Sequence, residues 1–294
     1  MGDYLDRIAS SSARVGAPLC IGIDPDPAAI PERFCSSATT IGSWVDLLIE
    51  ATSPSAAAYK VNLAFFEALG AEGIALAERV RRKVPPTIPL IVDAKRGDIG
   101  TTVAAQDRAL YERLEADAVT ANPYLGIGAL APLLARERGF TYLLCRTSNP
   151  ESAELQGLRV AGGGFPDEPL YVRVARLAAG RPEALAGRIG LVVGATAGEA
   201  LRTARAVAAG LPFLVPGVGA QGGDIAAVLA AGQATAGRAA SRFGGGLMIN
   251  VGRGVTDAAR EASDPGAALS AAAGEWCSRL AILPPDGLPP AANE

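Results

Sequence analysis

Short apolar runs recur along the chain, separated by segments whose apolar positions return every three or four residues. Eight runs, at 19–24, 57–62, 88–92, 118–122, 141–145, 189–193, 213–215 and 246–251, have strand length and are bounded by turn-prone residues. The periodicity between them predicts helices at 43–51 with Ser43 as cap, at 64–82 stopped by Pro85 and Pro86, at about 101–114, and at 128–138. Further helices are expected at 168–179, 198–209, 225–231, 257–263 and 267–280, with an extra one at 3–15 ahead of the first strand. Gly162, Gly163 and Gly164 mark 151–167 as a mobile loop, the Gly/Ala stretch after 231 has no clear period, and the Pro-rich tail 283–294 is expected to be flexible.

Eight strands alternating with helices, each connection long enough for a right-handed crossover, predict an α/β fold: a single (β/α)8 TIM barrel over 1–282. An open doubly wound sheet is the competitor, but no G-x-G-x-x-G follows the first strand. Apolar residues make up 49% of the chain, ample for the core of a barrel.

A net charge of −3 leaves no basic face for nucleic acid. The compact basic run Arg81-Arg82-Lys83 falls at a helix C-terminus, where it complements the dipole and is expected to be solvated. No apolar stretch has membrane-spanning length, and the N-terminus lacks the layout of a signal peptide. Cys20, Cys35, Cys145 and Cys277 are widely spaced with no C-x-x-C pair, Cys20 and Cys145 lie in apolar strand-like runs where buried reduced thiols are expected, and a cytoplasmic location fits. Histidine is absent altogether, which removes imidazole acid–base chemistry and His metal sites together. Any catalysis must use Lys, Asp, Glu, Ser, Thr or backbone groups.

The polar residues fall where the strands end. Asp24, Lys60 with Asn62, Asp93 with Lys95, Asn122, Ser148, Gln221 and Arg253 follow strands one to five, seven and eight. In a barrel such positions ring the rim where active sites are built. Singly, each has a plain alternative: Asp24 and Asn122 precede prolines, and Ser148 opens a turn. The stretch Asp93-Ala94-Lys95-Arg96-Gly97-Asp98 is harder to dismiss, because residues two apart on a strand share a face and Asp98 is placed to cap the next helix. The glycine-rich turns Pro216–Gly223 and Gly252-Arg253-Gly254 follow the last two strands, the usual phosphate site of such barrels. A phosphorylated small molecule is the implied ligand.

Asp93-Ala-Lys95-Arg-Gly-Asp98-Ile99-Gly-Thr-Thr102 resembles the signature of the orotidine 5′-monophosphate decarboxylase family. Leu-Cys-Ile-Gly-Ile-Asp24-Pro, Tyr-Lys60-Val-Asn62, Thr-Ser148-Asn, Pro216-Gly-Val-Gly-Ala-Gln221 and Val-Gly252-Arg253-Gly resemble its other landmarks in the right order, from about residue 18 to 257. The Lys-x-Asn and Asn-Pro-Tyr variants resemble the longer bacterial branch. The resemblance implies a charge network of Lys60, Asp93, Lys95 and Asp98, with Asp98, Ile99 and Thr102 reaching into the partner's site of a homodimer. It implies that Asp24 and Lys60 hold ribose hydroxyls, Ser148 the pyrimidine amide, Pro216 the base, and Gln221, Gly252 and Arg253 the phosphate. Asn62 and Asn122 join the substrate-binding set. It further implies decarboxylation of a nucleotide to UMP, without metal or organic cofactor. Two rivals remain: a related sugar-phosphate barrel using Mg2+, and a barrel that binds a phosphorylated ligand without turnover.

Overall fold

The strands of the computed structural model, which describes residues 2–195, 198–219 and 223–282, are in chain order β1 (Leu19–Ile23), β2 (Ala58–Asn62), β3 (Leu90–Arg96), β4 (Ala118–Ala121), β5 (Phe140–Arg146), β6 (Arg159–Gly162), β7 (Phe165–Pro169), β8 (Ile189–Val193), β9 (Phe213–Pro216) and β10 (Met248–Val251). All but β6 and β7 form one parallel sheet that closes on itself in the order β1-β10-β9-β8-β5-β4-β3-β2. The expected (β/α)8 barrel is therefore present. Its strands are covered on both faces, which is why β1 and β8 read as unbroken apolar runs and are buried throughout.

The extra N-terminal helix, Tyr4–Val15, starts at Asp3, whose carboxylate accepts the amide of Asp6 at 3.1 Å. It closes the floor of the barrel. Tyr4 stacks on Phe140 with ring centroids 4.6 Å apart, its hydroxyl is 3.2 Å from that of Tyr142, and Leu5 and Ile8 join the same buried cluster.

Several helices differ from expectation. The second begins earlier, as Ala38–Thr52, and its cap is Ser37, not Ser43: the Ser37 hydroxyl accepts the Thr40 amide while Thr40 returns the bond, a capping box. The segment expected as 64–82 divides into Leu63–Glu67 and Gly70–Lys83, because glycine is a poor helix former and Gly70 stands at the break. After β4 only a short turn, Ile127–Leu130, and Ala131–Leu134 are helical, with Pro132 at the start of the latter. At the C-terminus the turns Arg253–Thr256 and Asp257–Ala259 precede the helix Pro265–Arg279. Arg81 is not a solvated helix end. Its guanidinium bonds Asp117 at 3.1 Å and the carbonyls of Val84 and Pro85 at 2.8 and 3.0 Å.

The glycine-rich stretch after β5 is also ordered. Ser152–Gln156 is helical, and β6 and β7 form an antiparallel hairpin turning through Gly162, Gly163 and Gly164 at φ 97°, 65° and 77°. These left-handed angles favour glycine, so the composition that suggests a mobile loop here builds a turn. Glu168 of β7 is buried between Arg173 and Arg176, at 2.8 Å from each, which fixes the hairpin to the helix Leu170–Ala179. The expected tail 283–294 lies outside the described residues.

Candidate active site

The C-terminal ends of the strands open into a cavity of about 620 Å³, and most of the polar residues named from sequence line it. Asp24, Lys60, Asn62, Asp93, Lys95, Ser148, Pro216, Gly252 and Arg253 all stand in its wall. Strand register explains the grouping. Gly22 lies beside Lys60, Asn62 beside Asp93, and Asn250 beside both Cys20 and Pro216, so one layer of the barrel carries most of the polar chemistry.

Asp93 is the centre of the array. One carboxylate oxygen accepts the Lys60 ammonium at 2.9 Å; the other accepts the Lys95 ammonium at 2.8 Å and the Thr120 hydroxyl at 2.7 Å. The environments of the two lysines differ sharply: the Lys60 side chain is 6% exposed and that of Lys95 47%. One cation is thus built into the wall while the other faces the cavity. Burial works against ionisation of Asp93, but Lys60 and Lys95, with the hydrogen bonds from Lys95 and Thr120, outweigh it and hold the carboxyl well below the usual range. Burial likewise opposes the charge on Lys60, and Asp93 and Asp24 outweigh it, so that ammonium is held above its ordinary range.

Asp24 follows β1. Burial raises its pKa despite the nearby Lys60, and its Oδ1 is buried without a hydrogen-bond partner. A buried acceptor left unmatched costs roughly 1–3 kcal/mol, which a hydroxyl-bearing ligand would recover. Cys20, buried in the core beside Asn250, is a free thiol pushed up to about 12 chiefly by burial, which makes it inert.

Lys95 meets Asp93 by an irregularity of the strand rather than by simple alternation. The β3–β4 register shifts between Val92 and Arg96, and Lys95 has φ 49°, one of two non-glycine residues in the left-handed region among those described. The backbone thereby folds the lysine back toward a carboxylate two residues earlier. The loop after β5 is held differently. Gln156 accepts the Thr147 amide at 2.8 Å and donates to the Thr147 hydroxyl at 2.9 Å, fixing the approach to Ser148. This loop crosses the end of β8 at Gly194, where a Cβ would lie 2.7 Å from the backbone nitrogen of Ser148.

Four named residues stand outside this wall. Asn122 is exposed, and its side-chain oxygen accepts the Tyr124 amide at 3.0 Å, an Asx turn before the proline-containing loop. Asp98 does not cap the following helix as expected. That helix, Gly100–Asp107, has Ile99 at its cap position, and the Asp98 carboxylate accepts the Ile99 amide at 2.8 Å. Ile99 is 60% exposed. Thr102 lines a separate groove of about 450 Å³ with Leu63, Ile74, Leu110 and Leu114. Gln221 lies outside the described residues.

Thr120, Asn250 and Gln156 join the cavity without having been singled out from the sequence. Asn250 lies two residues before Gly252, which was, so alternation carried a signal for it, whereas Asn122, two residues beyond Thr120, turns out of the wall and gave none. Gln156 had none, since its partner loop is defined only by the fold. Among the described residues, no three His, Cys, Asp or Glu side chains are grouped to hold a metal ion, and no helix is long and apolar enough to cross a membrane.

Comparison with known proteins agrees with this geometry. The model of the orotidine 5′-phosphate decarboxylase / HUMPS family matches residues 17–271. The chain is 42% identical over 270 residues to an orotidine 5′-phosphate decarboxylase of Roseiflexus sp. (strain RS-1), covering 92% of this chain and 94% of that one. Among solved structures it is similar to Leishmania donovani OMP decarboxylase, with a TM-score of 0.78, 39% identity, and coverage of 95% of this chain and 98% of that one. It is also similar to Leishmania donovani UMP synthase, with a TM-score of 0.80 and 41% identity, where it covers 95% of its own length and 56% of the longer protein.

Proposed function

This chain belongs to the orotidine 5′-phosphate decarboxylase / HUMPS family, and from that premise we propose that it is a carboxy-lyase converting orotidine 5′-monophosphate to UMP and carbon dioxide in pyrimidine synthesis. The observation that carries this reading is the Lys60–Asp93–Lys95 array, joined at 2.9 and 2.8 Å, in the same cavity wall as Arg253. A site that only bound an anion would gain nothing from carboxylates crowded beside it.

The reaction explains the residue types. Breaking the bond from C6 to its carboxylate leaves the electron pair in an in-plane orbital that the ring π system cannot share. Stabilisation must then come from fixed charge in a site that excludes water. The Lys95 ammonium, anchored by Asp93, faces that developing charge as carbon dioxide departs and then gives its proton to C6. Solvent restores the proton. Lys60 offsets the mutual repulsion of Asp93 and Asp98 and, with the partnerless oxygen of Asp24, takes ribose hydroxyls. Asn62 borders the same region, Ser148 takes the pyrimidine amide, and Pro216 lines the base. Gly252 and Arg253, with Gln221, grip the phosphate, and that remote binding energy helps assemble the site. No metal or organic cofactor enters the scheme.

A second copy of the chain completes it. Asp98, Ile99 and Thr102 stand outside their own cavity wall, and the apolar groove beside Thr102 suits a face that another subunit covers. Asp98 then joins the partner's charge network, while Asn122 serves from the rim.

Incubation with orotidine 5′-monophosphate and excess chelator tests the reading. UMP and carbon dioxide should appear at the rate seen without chelator. Activity abolished by the chelator would favour a metal-assisted sugar-phosphate reaction, and nucleotide binding without turnover would leave only a binding barrel.

A further inference from the structure

Thr120 is 1% exposed, inside β4, and its hydroxyl touches both ends of the turn that presents Lys95. It accepts the backbone amide of Lys95 at 3.0 Å and donates to Asp93 Oδ1 at 2.7 Å. The same Oδ1 accepts the Lys95 ammonium at 2.8 Å. The contacts form a closed ring: hydroxyl to carboxylate, carboxylate to ammonium, and the lysine backbone back to the hydroxyl.

Two features make the hydroxyl more than a satisfied buried polar group. Asp93 is ionised and can only accept, so the Thr120 proton points at it and a lone pair is left for the Lys95 amide. The hydroxyl orientation is thereby fixed by its partners. In addition, the Lys95 amide belongs to a residue at φ 49°, where the β3–β4 register is interrupted. Left-handed backbone at a non-glycine residue persists only where surrounding structure holds it.

We infer that Thr120 is a positioning residue, which clamps the left-handed turn at Lys95 and the Asp93 carboxylate with one hydroxyl and so sets where the catalytic ammonium stands. It touches no reacting atom. The inference rests on the decarboxylase reading for its kinetic consequence, but the clamp itself is a property of the ligand-free protein.

The experiment compares Thr120→Val, which keeps the branched shape and removes both hydrogen bonds, with Thr120→Ser, which keeps the hydroxyl. A displacement of about 1 Å at a reacting group costs on the order of 10²-fold in rate. Thr120→Val should therefore lower kcat by roughly that factor while KM stays within about threefold, and Thr120→Ser should restore kcat to within a few-fold of the parent protein. In the ligand-free protein, hydrogen exchange at the Lys95 amide should accelerate at least tenfold in Thr120→Val and stay slow in Thr120→Ser. An unchanged kcat in Thr120→Val, equal losses in both variants, or unaltered exchange at Lys95 would each overturn the inference. If the parent protein does not decarboxylate the nucleotide, the functional reading fails, and the exchange measurement still decides the clamp.

Discussion

Replacing Lys60 with methionine removes the buried cation of the Lys60–Asp93–Lys95 array and keeps most of the side-chain volume. In the folded protein Asp93 would retain Lys95 at 2.8 Å and Thr120 at 2.7 Å, but lose the ammonium at 2.9 Å on its other oxygen. Asp24, already raised by burial, would lose its principal attractive neighbour. Breaking a buried ion pair costs about 3–5 kcal/mol, and the two partners that remain on Asp93 place this site near the lower end, about 3 kcal/mol. For a chain of this size that corresponds to a fall in Tm of roughly 5 °C.

The sign with pH follows from the two shifts. Asp93 has a depressed pKa in the fold, so its contribution is present above the unfolded value of about 3.9 and is lost as pH falls through the folded one. Lys60 has a raised pKa, so its contribution is present below the unfolded value of about 10.4 and is lost as pH rises through the folded one. The gap between parent and Lys60→Met should therefore be flat from about pH 5 to 9 and narrow only well below the ordinary carboxylate pKa, by roughly pH 2. Urea unfolding of the ligand-free proteins at pH 7 and about pH 2 measures it. A gap below about 1 kcal/mol at pH 7, or one equally large at about pH 2, would refute the claim that Lys60 is the buried counter-charge.

Lys95→Ala should cut kcat by at least about 10⁴-fold, since it removes both the fixed charge and the proton donor; near-normal turnover with an intact fold would exclude its role. Arg253→Ala should lower kcat/KM for the nucleotide by roughly 10–100-fold, the worth of a charge-assisted phosphate contact, yet leave the slow reaction of the unphosphorylated nucleoside unchanged. Equal losses on both substrates would remove the phosphate assignment. Mixing inactive Lys95→Ala with inactive Asp98→Ala protein should restore activity through hybrid dimers, and no recovery despite demonstrated subunit exchange would argue that the sites are not shared.

The barrel was legible because covered parallel strands must be apolar runs, and eight such runs survive even in a chain rich in alanine and glycine. The Asp93–Lys95 pair was legible for a reason that is only partly right. Alternation places the two residues on one face of an ideal strand, whereas their contact depends on the bulge and the left-handed Lys95. Local hydrogen bonds hid other features. Ser37 and Thr40 cap each other four and more residues ahead of the strongest apolar period, so the helix starts earlier than its pattern shows. Glycine misled in the segment after β5, where the same residues that loosen a loop allow the tight turn between β6 and β7. Thr120 went unnoticed because a lone threonine in an apolar strand is ordinary in sequence, and its significance comes from a neighbour 25 residues away in the chain.

The N-terminal helix stoppers the chamber from below. Tyr4, Leu5 and Ile8 pack into the cluster at the strand beginnings, while the cavity lies at the other end, lined by the Ser148 and Arg253 loops. On the proposed reaction, the gas released and the heavier product would leave past those loops, the way the nucleotide enters. Traffic at that threshold, more than the bond cleavage beneath it, is then where the pace of a full cycle can be set.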